Sequence, residues 1–124
     1  MITITERVAH QSAGGSAFAE IEVAVILGEQ PGRTRVEFST GPELFEGDFY
    51  LPAVQVGTAL ALRLAPQRTQ LAVKVRRLHT TIVDTTELLV VFTSARAILR
   101  ALDADPELVG AIDFRSRSVT FKLS

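Results

Sequence analysis

Between Phe49 and Val83 the chain has no acidic residue and five basic ones, Arg63, Arg68, Lys74, Arg76 and Arg77. Three of these fall in the single run "KVRR", Lys74 to Arg77, and His79 and Thr80 follow directly. Cations at this density suit phosphate groups, which nucleic-acid binders neutralise several at a time. The same residues also suit solvated positions on helices and strands, and five charges are few for a phosphate track. Residues 1–48 lean the other way, with eight acids against three bases. The net charge of −1 speaks against a general nucleic-acid binder. The asymmetry therefore points to one basic face and not to a basic protein.

Other chemistry is sparse. Cysteine is absent, which excludes a disulfide framework and a thiolate metal site. His10 and His79 are far apart in sequence with no acidic cluster beside them, so no metal site is expected. Asp103 and Asp105 precede Pro106 and read as turn and capping residues rather than a catalytic carboxylate pair. Ser12, Ser16 and Ser94 have no recognisable base. "SAGGSAF" lacks the lysine and glycine spacing of a phosphate-cradling loop. No cofactor is expected, and an enzyme would need a polar pocket that the sequence does not outline.

A length of 124 residues implies one domain over 1–124. Apolar residues at 47% and charged residues at 22% describe a globular chain. "MITITERVAHQ" has neither the basic nor the apolar region of a signal peptide, and no apolar run reaches the roughly 18 residues of a membrane span. Together with the lack of cysteine, this leads to the expectation of a cytoplasmic protein with no membrane partner.

The elements that must position the basic run follow from periodicity. Ile2-Thr3-Ile4-Thr5 alternates as a short strand. Gly14 and Gly15 lie in a turn, Ser12 to Ser16. Phe18, Ile21, Val23, Val25 and Leu27 mark a half-buried strand over 18–27, and 35–39 alternates again, so these two are expected to pair as an antiparallel hairpin. Asp48 is placed to cap a helix over about 49–65, with Pro52 in its first turn. That helix is apolar nearly all round, so Gly57 within "YLPAVQVG" is expected where helix and sheet, or the two helices, approach closely. Leu71, Val73 and Val75 define a strand over 70–78 in which Lys74 and Arg76 share the open face and Arg77 points the other way. Asp84 and Glu87 have the spacing of a capping box. Leu88, Val91, Phe92, Ala95, Ile98, Leu99 and Leu102 then form one helical face, with Arg96 and Arg100 on the other. Residues 107–111 allow one extra turn, and Ser118 to Leu123 alternates as a last strand. The order β, β, β, α, β, α, β predicts a single α+β domain, a four- or five-stranded sheet with two helices on one face.

Several stretches, in this order, resemble the fourth domain of elongation factor G. "YLPAVQVG" is similar to the family's Tyr-Ile-Pro-Ala-Val-Glu-Lys-Gly helix start. "ITIT" resembles its first strand, "GGSAFAEIEV" its glycine-rich loop and following strand, and "LAVKVRRL" the strand after the first helix. "VDTTELLVVFTSARAILRAL" is similar to its second helix, and "SVTFKLS" to its closing strand. The resemblance implies a left-handed βαβ crossover, against the usual right-handed rule. It also implies a likeness to the second domain of a small-subunit ribosomal protein. In elongation factor G this domain reaches the decoding region, and two tip loops touch RNA. By resemblance those loops correspond to Gly14-Gly15-Ser16-Ala17 and Leu78-His79-Thr80-Thr81. Both depart from the family: the first lacks a glycine and the glutamine, and the second is shorter. These 124 residues show no nucleotide-binding loop of the kind that drives the factor, so no GTPase activity is expected of them.

Two functions follow as expectations. One is a domain IV-like protein, without GTPase activity, that binds ribosome or RNA through Gly14, Gly15, Ser16, Lys74, Arg76, Arg77, His79 and Thr80. The other is a protein-interaction or accessory domain, self-associating or bound to another protein, that has lost its RNA contacts.

Overall fold

The computed structural model describes residues 1–12, 15–28, 35–38, 47–65, 71–81, 84–113 and 118–122, with the backbone alone for 12, 15, 37, 38, 47 and 48. The Ile-Thr alternation at the start runs further than its first four residues: strand β1 spans Ile2–Ser12 and pairs antiparallel with β2, Gly15–Leu27, in unbroken register from Ile2↔Val25 to Ser12↔Gly15. Strand β4 (Leu71–Thr80) takes the other edge of β2, also antiparallel. Between them in sequence come β3 (Arg35–Phe38) and helix α1 (Gly47–Leu64).

The expected hairpin of 18–27 with 35–39 does not form. β3 pairs parallel with β4, at Val36↔Val73 and Glu37↔Lys74, and the sheet order is β1-β2-β4-β3. Both edges of β2 are occupied by longer antiparallel partners, so β3 cannot pair with it and joins the free edge of β4. A parallel pair then needs a crossover, which α1 supplies. The last strand is corrected too. β6 (Ser118–Phe121) pairs with β5 (Gly110–Asp113) in a separate two-stranded sheet, so the main sheet has four strands among the described residues.

Helix α2 (Glu87–Ala101) lies over β1 and β2, while α1 packs against α2 and beside β3. The core takes Ala19, Ile21, Val23 and Val25 from β2 and Leu71, Val73, Val75 and Leu78 from β4. All lie on the helix-covered side, which leaves the opposite face of the sheet open. The architecture is thus one small α+β domain with a mixed four-stranded sheet, a two-stranded sheet and two helices on one face.

Gly57 explains how the helices meet. A Cβ built there would stand 2.6 Å from the Val91 carbonyl oxygen and 2.9 Å from the Ser94 Cβ. The helix backbones approach because this position has no side chain, which offsets the low helix propensity of glycine. The cap of α2 differs from the expected Asp84–Glu87 box. Thr86 is the N-cap and its hydroxyl accepts from the Leu89 N–H at 3.1 Å. Asp84 is drawn instead towards the β1–β2 hairpin. Asp48 lies inside α1, one residue after its start, rather than preceding it. Asp105 caps the short 3-10 helix Pro106–Val109 through the Glu107 N–H, in keeping with its reading as a capping residue.

Candidate functional site

Side chains on the open face are arranged in rows by the strand register. One row holds Ala9 and Phe18, the next Arg7, Glu20 and His79, the next Thr5, Glu22 and Arg77, and the next Thr3, Ala24 and Lys74. Rows stand about 7 Å apart, two residues along each strand. Arg76 has no place in this ladder. Glu22 pairs with Arg77 and Val23 with Val75, so Arg76 is the extra residue of a β-bulge.

The bulge overturns the expectation that Arg77 points away from Lys74. Strict alternation would send Arg77 to the helix side. The inserted residue shifts the phase by one, so Leu78 enters the core and Arg77 joins the open face. Lys74, Arg76, Arg77 and His79 are all exposed. The face is not uniformly basic. Glu20 lies 4.0 Å from the Arg7 Nε and 3.4 Å from the His79 Nδ1.

At one end of this face the hairpin and the β4–α2 connection are stitched together. Ser16 Oγ donates to Asp84 Oδ1 at 2.5 Å, and the Phe18 N–H donates to the Asp84 carbonyl at 3.1 Å. Thr85 Oγ1 donates to the Phe18 carbonyl at 2.6 Å and accepts from the Thr81 N–H at 2.8 Å. The Asp84 N–H in turn donates to Thr81 Oγ1 at 3.0 Å. Both backbone polar groups of Phe18 are therefore held by the second connection. A cleft of about 350 Å³ opens here, lined by Arg7, His10, Gln11, Ser16, Phe18, Thr81 and Asp84 among others. The Arg7 guanidinium carbon lies 5.6 Å from the centroid of the half-buried Phe18 ring, a cation–π distance.

Of the residues singled out from sequence, Ser16 and His79 lie in or beside this tip. Thr80 is part-buried opposite Ala19, and Gly15 closes the hairpin register opposite Ser12. Lys74, Arg76 and Arg77 lie further along β4. Gly14 falls outside the described residues. Sequence reading placed Thr81 in the second loop by resemblance but missed Arg7, Phe18 and Asp84 as parts of the same site. A signal for Phe18 was present: the step of three to Ile21 breaks the period-two spacing of the core residues, which leaves Phe18 in phase with Glu20 and Glu22.

A second charged cluster lies on the covered side. Glu6 Oε1 meets Arg96 Nε at 3.1 Å, Glu6 Oε2 meets Arg100 Nε at 2.5 Å, and Arg96 also reaches Glu107 at 3.3 Å. Arg96 is thus not on a solvent face of α2, as its helical position implied; its side chain is 14% exposed. Burial works against the Arg96 charge, but the hydrogen bond and attraction of Glu6, helped by Glu107, outweigh it and raise the pKa above the usual arginine value. A cleft of about 380 Å³ runs beside this cluster, between β1 and β5. Among the described residues no group of His, Cys, Asp or Glu could hold a metal ion, and no helix is long and apolar enough to cross a membrane.

No family model and no curated protein matches the chain. It is similar in fold to a solved structure, ttk003000868 from Thermus thermophilus, with a TM-score of 0.61 and 13% identity. The likeness covers 79% of this chain and spans about 15% of that protein.

Proposed function

We propose that this domain is a module like the fourth domain of elongation factor G, and that it contacts RNA, with the ribosome as the natural carrier and the cytoplasm as its setting. One observation carries the reading: the bulge at Arg76 brings Arg77 to the open face that already holds Lys74, so Lys74, Arg76 and Arg77 are all exposed on the strand that leads to the tip. Two further features are in keeping with it. The first loop singled out by resemblance bonds through Ser16 to Asp84, whose N–H donates to Thr81 of the second, and the strands and helices up to α2 come in the order that the resemblance implies. Cations and hydroxyls grouped in this way suit phosphate and sugar contacts, which position a protein on RNA without reading its sequence. No catalytic step is assigned to the domain.

Co-sedimentation with ribosomes over a salt series tests the proposal. The expected result is binding that weakens as salt rises and is reduced in the double variant Lys74→Glu with Arg76→Glu. Salt-insensitive binding, or a double variant equal to the parent, would sink it.

A second reading, a protein-interaction domain, is favoured by a different observation. The outer side of α1 leaves Phe49 67% and Val56 56% exposed, and Glu20 and Glu22 offset part of the basic charge on the open face. Apolar exposure of this kind on one helix suits a protein contact, with another protein or a second copy. Sedimentation velocity at several concentrations separates the readings: self-association abolished by Val56→Glu supports the second, and a strict monomer that binds ribosomes supports the first.

A further inference from the structure

We propose that the cleft at the tip end of the open face seats one unpaired RNA base between the Phe18 ring and the Arg7 guanidinium, with the phosphates of the same strand running along β4 over Arg77, Arg76 and Lys74. The inference deepens the RNA reading above and rests on it.

Among the described residues, Phe18 is the only phenylalanine, tyrosine or tryptophan on the open sides of β1, β2 and β4, with the His79 imidazole exposed one row away. It lies outside the core cluster on the other side of the sheet. Its backbone is held from both sides, by Asp84 and by Thr85, so the ring is presented from a fixed point. Stacking energy is then not lost to ordering the platform. Arg7 already covers the ring at 5.6 Å, which shows that the ring face accepts a flat cationic group. Arg7 is itself loosely held: its side chain is 62% exposed and the carboxylate oxygen it faces, on Glu20, is 4.0 Å away. It can lift and close over the far side of an entering base. Aromatic rings and guanidinium planes are the two surfaces on which unpaired bases stack. Gln11, Ser16 and Thr81 line the same cleft and supply polar groups at the edge of the base.

Charge sets the direction of the strand. Glu20 and Glu22 stand in the middle rows on β2 and repel phosphates. Arg77 lies two rows from Phe18 on the neighbouring strand, roughly 13–14 Å along it, with Arg76 and Lys74 beyond. A backbone that leaves the cleft therefore follows β4 and avoids β2. A double helix would not fit this geometry, because its bases are not free to enter the cleft.

The test uses the absence of tryptophan from the chain. Phe18→Trp introduces a single tryptophan at the platform, excited selectively over Tyr50, and single-stranded RNA 12-mers of one base each serve as probes, with anisotropy measured over a salt series. Binding retained by Phe18→Trp, with its fluorescence quenched on saturation, is the expected result. Phe18→Ala should bind roughly 5- to 150-fold more weakly, the loss typical of one stacked base, with the salt dependence unchanged. Circular dichroism melts of both variants check folding, and the tryptophan variant carries the test if the alanine variant does not fold. If the parent binds these RNAs while Phe18→Trp binds without quenching, the stacking site is overturned and the RNA reading stands. Binding to ribosomes but to none of the 12-mers has the same meaning. Should the parent bind neither, the RNA reading fails and the inference fails with it.

Discussion

Glu6 and Arg7 are neighbours on β1 and meet opposite environments. Strand alternation sends Glu6 under α2, where its side chain is 7% exposed and both carboxylate oxygens are taken by arginines. It sends Arg7 to the open face, where its side chain is 62% exposed beside Glu20. A buried carboxylate must be paired, because removing one partner leaves an uncompensated charge away from water. An exposed pair is screened and contributes little to stability. The same kinds of charge therefore serve different ends. On the covered side they tie α2 to the edge strand, and an inward-facing charge on an edge strand also discourages pairing with other chains. On the open side they remain available to a ligand.

Mutations can break or sharpen this contrast. Glu6→Ala should have the largest effect, a loss of about 3 kcal/mol in chemical denaturation, because it leaves the part-buried Arg96 with only the exposed Glu107 carboxylate as its ion-pair partner. The contrast fails if the loss stays under about 1 kcal/mol. Gly57→Ala tests the packing that makes the covered side possible. Propensity alone predicts a gain of about 1 kcal/mol, yet the Cβ would meet a backbone oxygen at 2.6 Å, so a loss of about 2 kcal/mol is expected instead. A melting temperature equal to or above the parent's would show that the helices can part without cost. Ser94→Ala probes the same helix contact in the opposite direction. Ser94 Oγ is buried with no hydrogen-bond partner among the described residues, so its removal should be neutral or stabilising by up to about 1 kcal/mol; a clear loss would reveal a partner for the hydroxyl. Arg7→Ala, on the open side, should cost roughly 0.2–1 kcal/mol at low salt and still less at high salt. The smallest change in stability belongs to Lys74→Glu with Arg76→Glu, which should leave the melting temperature unchanged. On the RNA reading, it lowers the salt slope of single-strand binding by about 1.4, that is about 0.7 for each phosphate no longer neutralised.

Much of the fold was legible in the chain. Both helices, the short turn after Asp105, most of β2 and β4 and the first four residues of β1 follow from periodicity and from turn residues, whereas the rest of β1 and all of β5 do not. The role of Gly57 was legible as well, since a glycine inside an apolar helix needs a close neighbour. Pairing was less legible. Residues 35–39 alternate as any strand does, and nothing in Arg35-Val36-Glu37-Phe38 states that β2 is already flanked on both sides. The Asp84–Glu87 spacing has the form of a capping box, but long-range hydrogen bonds from Ser16 and Phe18 hold Asp84 elsewhere, and Thr86 takes the cap.

The candidate site divides in the same way. Its ingredients were visible: an acid-free segment, three cations in four residues and a glycine-containing turn. Local sequence determines these because residue type and period-two alternation act over a few positions. Their arrangement was decided by tertiary structure. A single extra residue at Arg76 reversed the side on which Arg77 lies, and that bulge exists only in the pairing of β4 with β2. Phe18 is fixed on the open face only because Asp84 and Thr85, more than sixty residues away, hold its backbone N–H and carbonyl. Hydrogen bonds and register between distant strands have no signature in either strand alone, so the sequence specified which groups are present and the assembled sheet specified which of them face the same way.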